Sequence, residues 1–371
     1  MKNPKKITFE GFYGFKNAGD DAFVEVASWG SRKYWNCENN VFLGAHLPEV
    51  KNKINQSQLF PSVKGFDRVN LFRHLLNSDY FISAGGSTFS ELPIHSNKNL
   101  AYNFNKIDKN IQLGAIGVSI GPFKSIAYEK KIIKYLESLH FLAVRDSSSF
   151  NFVSSLNLPY NPVNAFDLAA LLPFIYNVNT SHSATNIKTI GVSICNYESY
   201  KNGDIEKEKH RNLFFKQLAE MLVKREDIAL KVFIINGNKK TGDEEATLEL
   251  LKDIPKAKYT ILPYTSNVEN TWNEISSCDL VISTRLHASI FACYAAVPFM
   301  LFEYHKKCSD FLTDVGQKTK FRLYDAEIGL QEAYTAVEEI LDNRYIEPTN
   351  IKATIERSKL NFTETLPLIG G

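Results

Sequence analysis

Residues 280–303 read LVISTRLHASIFACYAAVPFMLFE, and this stretch decides the fold. Leu280–Ile282 is a short apolar run bounded by Ser283 and Thr284, the pattern of a buried strand. Leu286, Ile290, Phe291 and Tyr294 then recur at helical spacing, with Ser283 or Thr284 placed to cap the helix. Pro298 ends the helix, and Phe299–Phe302 resumes as a second strand. Arg285 and His287 fall at the helix N-terminus, where free backbone N–H groups and the helix dipole favour anions. Arginine adds a planar fork for phosphate or carboxylate, and histidine a proton carrier near neutral pH. One reading is an anion site with acid/base chemistry attached. The other is that Arg285 pairs with a neighbouring carboxylate and His287 caps the helix.

Upstream, the same alternation repeats. Strands are predicted at 6–13, 41–45, 80–84, 111–120 and 141–144, with helices at 20–34, 67–77, 126–139 and from Arg145-Asp146-Ser147 to 156. Short apolar runs alternating with helices predict a parallel sheet covered on both faces, whose ligands bind at the carboxyl ends of its strands. Those ends carry Asn17-Ala18-Gly19-Asp20, Gly85-Gly86-Ser87, Gly121-Pro122 and Arg145-Asp146. They are read as βα turns in which glycine lets backbone approach a ligand. Asp20 and Asp21 fall in a first helical turn, where the dipole favours carboxylates. Asp167, ahead of the apolar run 168–172, reads as a buried turn aspartate bonded to backbone amides.

The polar, aperiodic segment 176–186 is the expected linker, and a second alternating set follows it. The expected architecture is α/β, with two doubly wound Rossmann-like domains facing across a cleft. They span 1–176 and 187–345, followed by a C-terminal helix and tail at 346–371.

Size and composition agree with this division. The 371 residues exceed the roughly 250–300 at which a single core divides. Net charge is +2, from 43 basic and 41 acidic side chains, too even for a nucleic-acid-binding field. Five scattered cysteines without a CxxC or Cys/His cluster point to free thiols in a reducing cytoplasm and to no metal site. The start, MKNPKKITFEGF, runs straight into a strand and is not expected to be a signal peptide. No apolar run approaches the roughly 20 residues of a membrane span.

Set together, GFYGFKNAGDDAF (11–23), ISAGGSTFSE (82–91), GVSIGPF (117–123), AVRDSSSF (143–150), FDLAALLP (166–173) and STRLHASIFACYAAVPFMLFEYHKK (283–307) resemble, in kind and order, the polysaccharide pyruvyl transferase family. The resemblance spans about residues 8–310. It implies a fold similar to the GT-B glycosyltransferases. It also implies transfer of pyruvate from phosphoenolpyruvate onto sugar hydroxyls, leaving a ketal on a bacterial surface glycan such as an exopolysaccharide. By position, Arg285 and His287 match the family's donor-site pair. Asn17, Gly19 and Asp20 match its N-terminal loop, Gly85 and Gly86 its second loop, and Arg145 the arginine after the fifth strand. Ser87-Thr88-Phe89 departs from the pattern, since many members carry another glycine and an acidic residue there. The departure falls on the acceptor contacts more than on the donor site.

Phosphoenolpyruvate carries a phosphate and a carboxylate on one frame, so two positive anchors are expected. Arg285 is one, with Lys306, Lys307 and Arg145 as candidates for the other and Ser283 and Thr284 beside them. Carbon 3 must gain a proton and the sugar hydroxyl must lose one, which calls for a general acid and a general base. His287 is the candidate acid, and Asp20 or Asp21 the candidate base. No cofactor is required. His305, beside the lysines, is a further candidate.

Two other functions fit the same fold. A nucleotide-sugar glycosyltransferase would set a diphosphate on the helix end and grip a ribose with an acid such as Glu303. A non-catalytic glycan- or nucleotide-binding protein would keep the fold without the reaction. A lipid-linked acceptor would place the protein at the inner membrane face, where Lys2, Lys5 and Lys6 add attraction.

Overall fold

The computed structural model describes residues 6–44, 46–56, 66–108, 110–178, 186–201, 203–324 and 329–365. Lys2, Lys5, Ala45 of the expected second strand, 179–185 of the expected linker and the tail from 366 lie outside them. The chain forms two compact units, one of 1–14, 20–175 and 352–371, the other of 15–19 and 176–351. Residues 346–371, read from sequence as a separate helix and tail, therefore divide: from Lys352 onward they belong to the first unit.

The first unit holds β1 (Ile7–Glu10), α1 (Ala18–Trp35), β2 (Asn40–Phe42), β3 (Asn55–Gln56), α2 (Phe66–Leu76), β4 (Tyr80–Phe89), α3 (Asn97–Ile107), β5 (Gln112–Ile120), α4 (Ile126–Leu136), β6 (Phe141–Val144), α5 (Ser147–Ser154) and β7 (Val163–Asn164). All pairings are parallel and the sheet order is β3-β2-β1-β4-β5-β6-β7. Chain direction across the sheet reverses between β1 and β4, the switch point at which such sheets leave a crevice. A core of Phe81, Leu113, Ile132, Tyr135, Leu136 and Leu142 packs one face.

Three features differ from the sequence pattern. β4 does not stop at Ala84 but runs to Phe89, so Gly85, Gly86 and Ser87 lie within a strand and not in a turn. Gly86 still pairs with Val118, and the register shifts between Gly86 and Phe89. Asn97–Ile107 forms α3, which the apolar pattern does not mark because NKNLAYNFNKI is mostly polar. Its start is set by Ser96, whose hydroxyl accepts from Asn99 N at 3.2 Å. The run after Asp167 is a 3₁₀ helix, Leu168–Phe174.

The remaining helix, α6 to α13 being numbered in chain order, that closes this unit is α13 (Ile351–Thr363). Asn361 accepts from Gly117 N at 2.7 Å and donates to the Phe166 carbonyl at 2.8 Å. Trp35 Nε1 donates to the Phe362 carbonyl at 3.0 Å, and the two rings meet at 5.2 Å.

The second unit holds β8 (Lys188–Ser193), α6 (Tyr197–Lys201), α7 (Ile205–Val223), β9 (Ile228–Phe233), α8 (Glu244–Leu251), β10 (Tyr259–Leu262), α9 (Val268–Ser276), β11 (Leu280–Ser283), α10 (Leu286–Tyr294), β12 (Phe299–Phe302), α11 (Lys306–Val315), β13 (Arg322–Leu323) and α12 (Leu330–Leu341). The order β10-β9-β8-β11-β12-β13 is again all parallel, with its switch point between β8 and β11. Nearly every residue of α10 is buried, which suits a helix apolar all round and packed on several sides.

Gly85 and Gly86 have φ of +76° and +82°. A Cβ on Gly85 would fall 2.3 Å from the Phe23 ring, whereas the nearest atom to one on Gly86 is 3.6 Å away. Gly85→Ala therefore combines backbone strain with overpacking and is expected to cost about 3 kcal/mol. Gly86→Ala carries the strain alone, about 1 kcal/mol. Urea unfolding of the two variants measures the difference.

Candidate functional site

The carboxyl ends of β8 and β11 are tied by Thr284. Its Oγ1 accepts from Cys195 N at 2.8 Å and donates to Cys195 Sγ at 3.4 Å. Ser283 Oγ donates to the Arg285 carbonyl at 2.9 Å and lies 2.8 Å from Ser289 Oγ. Neither residue caps α10, as the sequence had suggested. Arg285 occupies the cap position and makes no side-chain cap bond. Ser283 and Thr284 are consumed in fastening the strand ends, which leaves the first-turn amides of α10 without a capping side chain.

Arg285 is held from one side. Its Nε donates to Asp243 Oδ1 at 2.7 Å, and Nη2 donates to the same oxygen and to the Thr241 carbonyl. Nη1 reaches the Tyr200 hydroxyl at 3.5 Å. Asp243 is fully buried and also accepts from Asn236 N at 2.9 Å through Oδ2. Burial pushes its carboxyl above the ordinary range, against the pull of the Arg285 guanidinium. Burial likewise pushes the Tyr200 phenol up to about 12, so the hydroxyl that accepts from Arg285 stays neutral at physiological pH.

The Asn236 loop carries the segment that the sequence had marked as an N-terminal motif. Asn17 forms an antiparallel bridge with Asn236, Ala18 N donates to the Ile235 carbonyl at 3.0 Å, and Gly237 N to the Lys16 carbonyl at 2.8 Å. Asn17 Oδ1 accepts from Gly19 N at 3.0 Å. A Cβ on Gly19 would fall 2.1 Å from Nδ1 of His287, so the absence of a side chain there admits the imidazole. Asn17, Gly19, Arg285 and His287, from opposite ends of the sequence, thus meet within the second unit.

The two lysines differ. Lys306 is exposed and bridges Asp310 at 2.9 Å, an i,i+4 surface pair. Lys307 is half-buried, with Nζ 5.7 Å from the Tyr197 ring centre. Tyr197 in turn packs on Tyr200, Tyr304 and His305 at 5.1–5.5 Å. His305 caps α11 by accepting from Lys307 N at 3.2 Å. Burial, helped by Lys307, lowers its pKa to about 4. Glu303 holds Arg322 through both oxygens, at 2.7 and 2.6 Å.

In the first unit the sequence candidates gather at the β1/β4 switch point. Asp20 is half-buried beside Gly86, whereas Asp21 is 1 % exposed. Arg145 donates to Ser119 Oγ at 2.7 Å, Asp167 at 2.6 Å and Ser87 Oγ at 3.1 Å. Asp167 also accepts from Ala169 N at 2.9 Å. Glu10 accepts from Lys98 at 2.9 Å and Ser83 at 3.0 Å. Among the described residues no group of three or more His, Cys, Asp and Glu is placed to hold a metal ion.

The sequence reading missed Asp243, Tyr197 and Tyr200. Gly242-Asp243 ahead of a helix and Tyr-x-x-Tyr after a strand were available signals, since both follow strand carboxyl ends. Their meaning required the strand order, which puts β8 beside β11 and β9 next to β8.

Two consequences are measurable. Arg285→Met strands the buried Asp243 charge and should cost about 3–5 kcal/mol, much of it recovered when Asp243→Asn is added. His305 stays neutral in the folded chain until the pH nears 4, while the unfolded chain takes up its proton near 6.5. In that window the unfolded state binds more protons, so this contribution is fully present above pH 6.5 and is lost as the pH falls toward 4. Melting curves of wild type and His305→Asn, which keeps a cap acceptor, should diverge in slope across that window.

Against solved structures, the chain is similar over its length to several proteins, UDP-GlcNAc 2-epimerases among them. UDP-GlcNAc 2-epimerase from Methanocaldococcus jannaschii matches at 13 % identity and a TM-score of 0.59, covering 96 % of this chain and 98 % of that one. A putative UDP-N-acetylglucosamine 2-epimerase from Listeria monocytogenes matches at 11 % and 0.58, covering 96 % and 90 %. S. aureus MnaA, in its structure with UDP, matches at 12 % and 0.58, covering 99 % and 93 %. At these identities the likeness shows the fold, two Rossmann-like domains of the GT-B kind. No curated protein matches the sequence. The family model described as polysaccharide pyruvyl transferase matches residues 11–306, from the Gly11 loop through the strand–helix–strand of Arg285 and His287 to Lys306, and the chain belongs to that family.

Proposed function

We propose that the protein transfers pyruvate from phosphoenolpyruvate to two hydroxyls of one sugar, forming a ketal on a bacterial surface polysaccharide or its precursor. The observation that carries this reading is the start of α10, which has no capping side chain and places Arg285 and His287 at the β8/β11 switch point. The helix dipole, at an N-terminus whose cap residue makes no side-chain cap bond, favours an anion there. Asp243 takes the Nε–Nη2 edge of Arg285 and so fixes the plane of the fork, leaving the Nη1 edge beside Tyr200 for a phosphate or carboxylate oxygen. Lys307 is the second anchor in this reading; Lys306, engaged with Asp310 at the surface, is the weaker candidate.

His287, in the first turn of α10, delivers a proton to carbon 3 of the enol, which makes carbon 2 electrophilic. A sugar hydroxyl adds to carbon 2 and gives up its proton. Phosphate leaves, its charge met by Arg285 and the helix amides, and a second hydroxyl closes the ring with loss of a second proton. Asp20 is the better candidate base, because Asp21 is almost fully buried. The five cysteines are free thiols, which fits a cytoplasmic reaction. A nucleotide-sugar transferase loses its proposed ribose ligand, since Glu303 is engaged by Arg322.

Melting with and without phosphoenolpyruvate tests the proposal, because a ligand bound only by the folded state raises stability by mass action. Arg285→Lys keeps a cation beside Asp243, and it is compared with His287→Asn and wild type, each against its own unliganded baseline. The expected result is a rise in wild type that falls at least about fivefold in apparent affinity in Arg285→Lys, as loss of a bidentate fork implies. His287→Asn should abolish transfer while keeping most of the binding. A rise with UDP and none with phosphoenolpyruvate would replace this reading with the nucleotide-sugar one.

A further inference from the structure

Helix α2 is apolar on two faces. Leu71 and Leu75 sit in the first unit's core, whereas Val69, Phe72 and Leu76 are 60 %, 41 % and 65 % exposed. At 3.6 residues per turn those three share an arc of about 60°, and Arg68 and Arg73 flank it on either side. The face continues onto α3. Phe72 packs on Phe104 at 5.9 Å between ring centres, and Ile107, 85 % exposed, follows Lys106 at the end of that helix. Arg68 Nη2 lies 3.0 Å from His95 Nδ1, next to Ile94, itself 68 % exposed. Single exposed apolar side chains are ordinary; a contiguous set on two packed helices is not.

Charge chooses the occupant. From Arg68 onward α2 contains no carboxylate, and α3 contains none. An apolar stripe edged by arginines on either side matches a negative, planar surface with a hydrocarbon interior. Arginine stems lie along such a boundary while their heads meet phosphate. We propose that the outer face of α2 and α3 docks on an anionic phospholipid bilayer, with Val69, Phe72 and Leu76 inserted at the headgroup boundary and Arg68 and Arg73 on lipid phosphates. The helices lie on the surface: among the described residues no helix is long and apolar enough to cross a membrane. The surface stands whether or not phosphoenolpyruvate is the donor, so its test is separate from the one above.

Cosedimentation of the full chain with vesicles decides it, using phosphatidylcholine alone and phosphatidylcholine with phosphatidylglycerol. Binding is expected only to the anionic vesicles and should fall as salt is raised. Phe72→Ser with Leu76→Ser should weaken partition at least about tenfold, and Arg68→Gln with Arg73→Gln by about tenfold, with melting temperatures close to wild type. Absence of binding to anionic vesicles, or binding that neither pair of substitutions weakens, overturns the proposal. A dimer in solution that Phe72→Ser with Leu76→Ser dissociates would also overturn it, assigning the face to a second copy of the chain.

Discussion

A carboxylate with no exposed surface needs a fixed cation and enough donors around it, and Asp243 has both. Arg285 supplies the cation and Asn236 N a further hydrogen bond. Removing either partner leaves a charge that the interior cannot solvate, so the geometry is fixed by a penalty more than by a gain. Arg285 is thereby locked at the start of α10, and the loop 236–243 is locked with it. That loop presents Ile235, Asn236 and Gly237 to residues 16–18, and Gly19 then admits the His287 ring. One buried ion pair thus sets the positions of residues more than 250 apart in sequence.

The two sheets follow one rule. In each, the first strand of the unit stands beside the first strand that follows the reversal, β1 beside β4 and β8 beside β11. Polar networks are buried under both switch points, but they differ in kind. Under the first, Arg145 spreads its donors over Asp167, Ser119 and Ser87, and Lys98 meets Glu10. Under the second, Arg285 concentrates two donors on one carboxylate and turns Nη1 to the Tyr200 hydroxyl. The first arrangement braces a strand that two left-handed glycines distort; the second aims a fork.

Much of the architecture was legible because parallel strands buried on both faces announce themselves as apolar runs. β6 and β11–β12 fell where those runs predict them. α3 was not legible, because its helix depends on the Ser96 cap and on the Tyr102 and Phe104 contacts more than on any stripe. β4 was cut short at Gly85, since glycine usually ends a strand and here sits inside one. Local rules singled out Arg285 and His287, which stand at the start of α10. The same rules wrongly gave Ser283 and Thr284 a capping role, because a hydroxyl near a helix start can also fasten strands together. Asp243, Tyr197 and Tyr200 lie on loops that only the strand order brings beside Arg285.

Helix α13 gives the chain an unusual order of completion. Its Asn361 satisfies Gly117, its Phe362 carbonyl takes the Trp35 indole, and its Ser358 donates to the Asp167 carbonyl. On the ribosome, residues 20–175 emerge long before this helix, and residues 176–351 of the second unit are synthesised in between. During that interval the first unit has its sheet but lacks the partner for a buried backbone amide and an indole N–H, each costly to leave unsatisfied. The second unit's main run of chain is thus complete before the first unit's last helix, and the first reaches its final stability only once α13 has left the ribosome. Long-range closure of this kind slows folding, and it makes the N-terminal unit answerable to substitutions in α13.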